Sequence, residues 1–323
     1  MAILHEKSTC CGAKVYRFGG KRRRCRNCGR TWSVHPAGPG RKRSRAQAEL
    51  PRRLILENVP VREISRQQHC STSTIYRRCR ESTDRLASRP ELPGLPANVD
   101  LVLIVDGLRF EIRGTHWVQY TMAFKPIDAD LIHFADPVML RGGESATNWQ
   151  RVFEYIRPEP AGRVRALVAD GLRGMKEVAA LNGWVYQRCH FHIWALLRRW
   201  LGGPWVSPAD NAIRWAIDDA LLSVDEERAE AARMAMTAHV RDQPGGMSCI
   251  LRQLVRDWDA IRAHLRYPRL SIPRTTSAVE SMHSRLRDVL SGVSTTDAIL
   301  RRATAFIRLR GPFNCKGHRF QQH

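Results

Sequence analysis

The stretch from Leu101 to Leu140, LVLIVDGLRFEIRGTHWVQYTMAFKPIDADLIHFADPVML, decides the fold. Three runs within it, LVLIVDGLRFEI, HWVQYTMAFK and the segment around LIHFADPVML, are rich in β-branched and aromatic residues and are separated by turn-like connections. They predict a three-strand meander. A helical pattern follows in ESATNWQRVFEYIR, then a strand in VRALVAD, a helix after Gly171, the strand WVYQRC, and a final helix that includes RTTSAVESMHSRLR. This order predicts an α/β fold with an RNase H-like mixed sheet. In that topology the first strand is central and the fourth lies parallel beside it.

Three carboxylates stand where such a sheet would gather them. Asp106 and Asp170 end short apolar runs, and the parallel pairing would bring them to neighbouring strand ends. Glu280 falls on a helix from about Ser277 to Leu290, flanking a buried stripe of Val279, Met282, Leu286 and Leu290. Taken alone, Asp170 would be an ordinary helix N-cap and Glu280 a solvated helical residue. Together the three predict a site for divalent metal, with two magnesium ions expected and manganese admissible, because hard carboxylate oxygens suit those ions and metal pairs serve phosphodiester chemistry. Asp100, Glu111, Asp128 and Asp130 fit this pattern less well, and Asp136, before Pro137, reads as structural.

The composition names a partner. The 323-residue chain carries a formal charge of +22 and is 43% hydrophobic, enough for a sizeable core and a field that attracts polyanions. The charge is clustered: between Lys14 and Arg53 only Glu49 interrupts the basic residues, which predicts salt-dependent contact with phosphate backbones. Double-stranded DNA is the expected partner. The opening residues MAILHEKSTCC lack the apolar core of a signal peptide and no run is long enough to span a bilayer, so a cytoplasmic, nucleoid-associated protein with no membrane contact is expected. Nine cysteines without an export signal favour reduced thiols and metal ligation over disulfides.

Residues 1–36 predict a zinc ribbon. In CCGAKVYRFGGKRRRCRNCGRTWS, Cys25 and Cys28 with Gly29 form one knuckle and Cys11 with Gly12 begins the other. A regular knuckle would put the partner of Cys11 at position 8, which is Ser8, so Cys10 or His5 must substitute. A basic linker over 37–45 leads to a helix-turn-helix over 46–90. There Leu50, Leu54 and Ile55, then Val61 and Ile64, then Ile75 and Cys79 are the inward positions of three short helices, the last capped near Ser71 or Ser73. That third helix would offer Thr72, Thr74, Arg77, Arg78 and Arg80 to a DNA groove. His69 occupies the turn position where glycine is usual.

Between Asp100 and Leu309 the chain resembles the Mutator-type transposases of bacterial insertion sequences, members of the DDE transposases. VADGLRGM around Asp170, the following QRCHFH and RTTSAVES around Glu280 carry the resemblance. It implies a catalytic domain over 98–323, interrupted by an all-α insertion at about 193–272 that contains NAIRWAIDDALLSV and ERAEAARMAMTAHV. It implies catalytic, metal-bearing roles for Asp106, Asp170 and Glu280, with Asp106 bridging both ions, in cleaving insertion-sequence ends and joining them to target DNA. A homodimer or larger assembly on DNA is expected, since two ends must meet. The family's Cys-x-x-His pair falls on Cys189 and His192, read as packing and hydrogen-bonding support beside the active site in preference to a metal pair, with His190 and Trp194 as DNA contacts. Ser277 departs from the Asn of an RTTN-like motif. A silent element-derived DNA-binding regulator and a nuclease that cuts without joining are the competing readings.

Overall fold

The computed structural model describes residues 10–18, 22–33, 49–87, 95–156, 158–201, 208–242 and 246–314. Two compact units divide the chain, Met1–Leu50 and Pro51–His323.

In the first unit, strands β1 (Val15–Arg17), β2 (Arg22–Cys25) and β3 (Thr31–Ser33) form an antiparallel sheet in chain order, with Val15 opposite Cys25 and Arg22 opposite Ser33. Gly12 and Gly29 take φ of 65° and 71°, a left-handed backbone that glycine enters without a Cβ clash and that lets the chain fold behind Cys11 and Cys28. His5, Ser8 and the basic linker at 37–45 lie outside the described residues.

The second unit opens with three helical pieces: α1 (Arg52–Leu56), a single wide π turn, α2 (Val61–Gln67) and α3 (Thr72–Ala87). The first ends before Asn58, which turns left-handed at φ 50°, and Pro60 follows. His69, at φ 48°, makes the turn between α2 and α3, and the Ser71 hydroxyl accepts from the Thr74 amide to cap α3. Ile55, Ile64, Ile75 and Cys79 are buried.

The main sheet contains β4 (Leu101–Ile112), β5 (Thr115–Pro126), β6 (Leu131–Phe134), β7 (Val138–Arg141), β8 (Val164–Ala169), β9 (Val185–Arg188) and β10 (Phe313–Asn314). Its order is β10-β6-β5-β4-β8-β9, with β7 also on β5. Pairings among β4, β5, β6 and β7 are antiparallel, whereas β4, β8 and β9 run parallel. The segment around LIHFADPVML, expected as one strand, is two: the ladder breaks before Pro137, which has no amide hydrogen to donate, and both pieces pair with β5.

Helices cover both faces, which is why β4 begins as a continuous apolar run. Val102 and Ile104 pack towards α13 (Ser277–Leu290) and α14 (Thr296–Arg310), in a core that also takes Ile55 from α1. Leu101, Leu103 and Val105 pack towards α4 (Ala146–Phe153) and α6 (Met175–Leu181), around Trp149; α5 (Pro158–Arg163) leads into β8. Between β9 and α13 the chain is helical: α7 (His190–Leu201), α8 (Pro208–Leu222), α9 (Glu226–Asp242), α10 (Gly246–Arg256), α11 (Trp258–Ile261) and α12 (Ala263–Arg266). This insertion has an apolar core of its own, including Ile217, Leu221, Met236, Leu251, Leu254 and Trp258. Among the described residues no helix is long and apolar enough to cross a membrane.

Candidate active site

Parallel register builds the site. Ile104 on β4 pairs with Val168 on the parallel β8; Asp106 lies two residues on in β4, and Asp170 two residues on, just past the end of β8 at Ala169. Asp106 does not end its strand: β4 runs on to Ile112 beside β5, and Asp106 faces Thr121 across the ladder. Opposite, α13 lays Val279, Met282, Leu286 and Leu290 against the sheet, and this seats Glu280 and His283, one turn apart, over Asp106.

Donor atoms of Asp106, Glu280 and His283 all lie within 4.8 Å of one another. Asp170 is outside that tight group. Its Oδ1 accepts from the Leu172 amide at 3.0 Å, so the capping geometry expected of an Asp-Gly turn is present, while the charge of Asp106 acts on its carboxyl. Burial pushes the Asp170 carboxyl above the ordinary aspartate range, only partly offset by that amide and by the charge of His192. Burial works the same way on Asp106, but there the hydrogen bond and charge of His283, then the charge of His192, win, and its carboxyl is held below the ordinary value.

Histidines hold the other acids. His283 is buried with both ring nitrogens in use, Nδ1 at 3.1 Å from Asp106 Oδ2 and Nε2 at 2.9 Å from Thr121 Oγ1. His192 Nε2 lies 3.1 Å from Glu280 Oε1. Burial opposes the charge of His192, but the Cys189 thiol and the Glu280 carboxylate beside it raise its proton affinity well above that of a free imidazole.

Cys189 serves the start of α13: its sulfur accepts from the Thr276 amide at 3.2 Å and lies 3.3 Å from the Thr276 hydroxyl. Cys189 and His192 thus grip the first turn of the helix that carries Glu280, and neither belongs to a metal-capable group among the described residues. His190 is buried, its Nε2 at 2.8 Å from the Ile261 carbonyl oxygen, which leaves it no surface for DNA; Trp194 is partly buried against the insertion core. Ser277 accepts a hydrogen bond from the Thr275 hydroxyl at 2.9 Å.

Two residues near the acids were not singled out from the sequence. One is His283, whose signal was its place three residues after Glu280 on the same helical face. The other is Glu144, whose carboxylate sits on Gly107: a Cβ there would come within 2.6–2.7 Å of it, so a side chain after Asp106 would have to displace that carboxylate. Trp149 Nε1 donates to Glu144 at 3.0 Å and Arg109 lies 3.8 Å away. Burial first, then the charge of Asp170, raises the Glu144 carboxyl to about 7.

Elsewhere, the Cys10, Cys11, Cys25 and Cys28 sulfurs form a second metal-capable group. The separations are 3.8 Å for Cys10–Cys11, 3.3 Å for Cys10–Cys28, 3.2 Å for Cys11–Cys25 and 3.9 Å for Cys11–Cys28. Four thiolates about 2.3 Å from one tetrahedral zinc lie roughly 3.8 Å apart, so the cluster is compatible with a zinc ribbon. Adjacent Cys10 and Cys11 both reach it. On α3, Thr72, Arg77 and Arg80 are exposed, as is Tyr76, whereas Thr74 and Arg78 are half-buried, Thr74 bonded to Ser71 and Arg78 to the Cys70 sulfur.

Among known proteins, a family model described as "Transposase, Mutator family" matches residues 53–293. The match begins within α1, takes in α2, α3 and all four acids, and ends just beyond α13. No curated protein matches the chain.

Proposed function

The chain belongs to the Mutator family of transposases, and from that premise we propose that it binds the ends of an insertion sequence and catalyses metal-dependent DNA cleavage and strand transfer with Asp106, Asp170 and Glu280 as its acids. The observation that carries this reading is the convergence of Asp106 and Glu280, from segments far apart in sequence, with Asp170 just past the end of the adjoining parallel strand. The strand order, with β4 between an antiparallel β5 and a parallel β8, supports an RNase H-like catalytic core.

The donor set fits a hard divalent ion. Asp106 and Glu280 offer oxygens within one cluster, and Asp170 adds a third carboxylate at its rim. When bound, a magnesium pair would polarise the scissile phosphate and favour the attacking water or 3′-hydroxyl. The protein's own contribution is placement. His283 fixes the Asp106 carboxylate, His192 aims Glu280, and the amide of Leu172 orients Asp170. Cleavage by water frees a 3′-hydroxyl on the element end. That hydroxyl then displaces a phosphate oxygen of target DNA, and the new strand end leaves with the proton.

For the front end, the four cysteines suit a structural zinc, and α2, the His69 turn and α3 suit a helix-turn-helix that presents Thr72, Arg77 and Arg80 to DNA. Thr74 and Arg78 contribute more to the shape of that helix start. Two ends must be held together, so we place at least two copies on the DNA. The deciding experiment is magnesium-dependent cleavage and joining on DNA bearing the element's flanking ends, comparing the full chain with Glu280→Gln. Joined product that disappears in the variant is expected. Cleavage without joining would make the protein a nuclease, and DNA retention without cleavage a regulator.

A further inference from the structure

The turn that carries Asp170 is backed by a single side chain. A Cβ on Gly171 would lie 2.5–2.6 Å from Nε, Cζ and Nη2 of Arg188, so the guanidinium rests directly on the residue after Asp170. That guanidinium is not a free end. Arg188 is 1% exposed, its Nη1 donates to Asp257 Oδ2 at 2.9 Å and its Nη2 to Gln253 Oε1 at 3.4 Å. Gln253 lies on α10 and Asp257 at the start of α11, so both acceptors belong to the helical insertion. Arg188 itself ends β9 and pairs with Ala169, the residue before Asp170.

Other contacts to the turn are few. Tyr186 donates its hydroxyl to the Asp170 carbonyl from the same strand. The turn also borders a cavity of about 400 Å³ lined in part by Gly171, Leu172, Tyr186 and Asp257. The Nε of Arg188 is buried without a hydrogen-bond partner. The guanidinium is therefore placed by Asp257 and Gln253 and pressed onto the turn, with one donor left over beside it.

We propose that Arg188 and Asp257 form a positioning pair through which the helical insertion sets the place of the Asp170 carboxylate. The inference rests on the reading of Asp170 as an acid of the metal site. The insertion is then part of the catalytic framework: a displacement of α10 and α11 moves the guanidinium, and the guanidinium moves the turn. A side chain after Asp170 would have to displace the arginine, which occupies its space.

The test uses the full chain with Asp257→Asn, which keeps the shape and removes the charge, and Arg188→Lys, which keeps the charge and loses the two-pronged contact. Glu226→Gln is the comparator. It breaks the 3.0 Å Arg262–Glu226 pair elsewhere in the insertion without touching β9 or the Asp170 turn. Two readouts are needed: the kcat and KM for end DNA as functions of magnesium, and the shift in melting temperature produced by manganese alone without DNA. Asp257→Asn and Arg188→Lys are expected to raise the half-saturating metal concentration and lower kcat by about 10–100-fold at unchanged KM for DNA, and to weaken the manganese-induced shift. Glu226→Gln is expected to do neither.

Loss of melting temperature with an unchanged metal response, or an equal metal response in all three variants, would reduce the pair to a stability element and overturn the proposal. If one variant fails to fold, Gly171→Ala reaches the same contact from the turn and must reproduce the metal defect. Asp170→Asn separates the layers. If it leaves the manganese shift intact, the reading of Asp170 itself fails; if it abolishes the shift while Asp257→Asn leaves it unchanged, only the positioning pair fails.

Discussion

Two metal-capable clusters, one of sulfur and one of carboxylates, are assembled by opposite means. Cys10, Cys11, Cys25 and Cys28 come together over a few residues of chain, through two tight turns and a three-stranded sheet with almost no core. Asp106 and Glu280 come together, with Asp170 outside the tight group just past the end of β8, because a large mixed sheet, buried on both faces, holds β4 and β8 in parallel and a helix is seated across it. A fold that small buries too little apolar surface to stand alone, so the zinc proposed for the sulfur cluster would supply its order. At the carboxylate cluster the framework is a large apolar core, and His283 and His192 pair with Asp106 and Glu280.

The contrast breaks most decisively at the sulfur cluster. Cys25→Ser is expected to abolish zinc content and expose residues 10–33 to protease, because structural zinc supplies about 10–16 kcal/mol of folding free energy in such sites. Zinc retained at full stoichiometry in that variant would remove the cluster from the comparison. Asp106→Asn should do the reverse, leaving melting temperature and DNA retention near those of the parent while cleavage and joining fall by at least about 10³-fold, roughly 4 kcal/mol of barrier. A variant that lost its fold along with its activity would show that the carboxylate site, too, is a structural device.

What the sequence revealed follows the same division. The alternation and turns of the Leu101–Leu140 stretch were enough to place β4 and β5, and the stripe of Val279, Met282, Leu286 and Leu290 was enough to aim Glu280, because these are local periodicities. The break at Pro137 was visible as a residue but not as two strands on one partner, since that depends on how β5 runs past both. Glu144 was hidden for a related reason. It lies in GGES before α4 and meets Gly107 only because the β4–β5 hairpin and α4 share one face of the sheet. His283 was not singled out from the sequence; only Thr121, the cross-strand partner of Asp106, reveals the job of its second nitrogen. The resemblance to the Mutator family rested on Asp100–Leu309, whereas the family match reaches back to residue 53 and so takes in α2 and α3, whose short apolar patterns alone are common to many small bundles.

Glu144 gives the comparison a pH signature. Its carboxyl is raised from 4.5 to about 7 by burial and by the charge of Asp170. Between those values the folded chain keeps a proton that the unfolded chain has lost, so stability falls as pH rises through that window and levels off above it. The whole effect is on the order of 3 kcal/mol. Glu144→Gln, which can still accept from Trp149, should therefore stabilise the chain at pH 8 and do almost nothing at pH 4.5, measured as melting temperature in magnesium-free buffer. A variant no more stable than the parent at pH 8 would mean that the site's unbalanced negative charge is relieved elsewhere, and that the carboxylates are less strongly coupled than their burial implies.

The smallest expected effect tests whether the site is held ready by the fold alone. His283 spends one nitrogen on Asp106 and the other on Thr121, both within a sheet that is already formed, so removing the imidazole should free the carboxylate without loosening the framework. His283→Ala is expected to raise the magnesium needed for half-maximal cleavage by about 10–100-fold, the usual cost of losing a group that orients a metal ligand. Thr121→Val, which removes only the far end of the relay, should give a smaller change in the same direction, because the ring keeps its contact with Asp106 but loses the bond that fixes its tautomer and tilt. If Thr121→Val equals the parent while His283→Ala fails, the ring acts on the metal directly through its own nitrogen, and the group of Asp106, Glu280 and His283 is a ligand set in its own right. That outcome would bring the carboxylate cluster closer to the cysteine cluster, with its donors chosen for the ion first and the fold second.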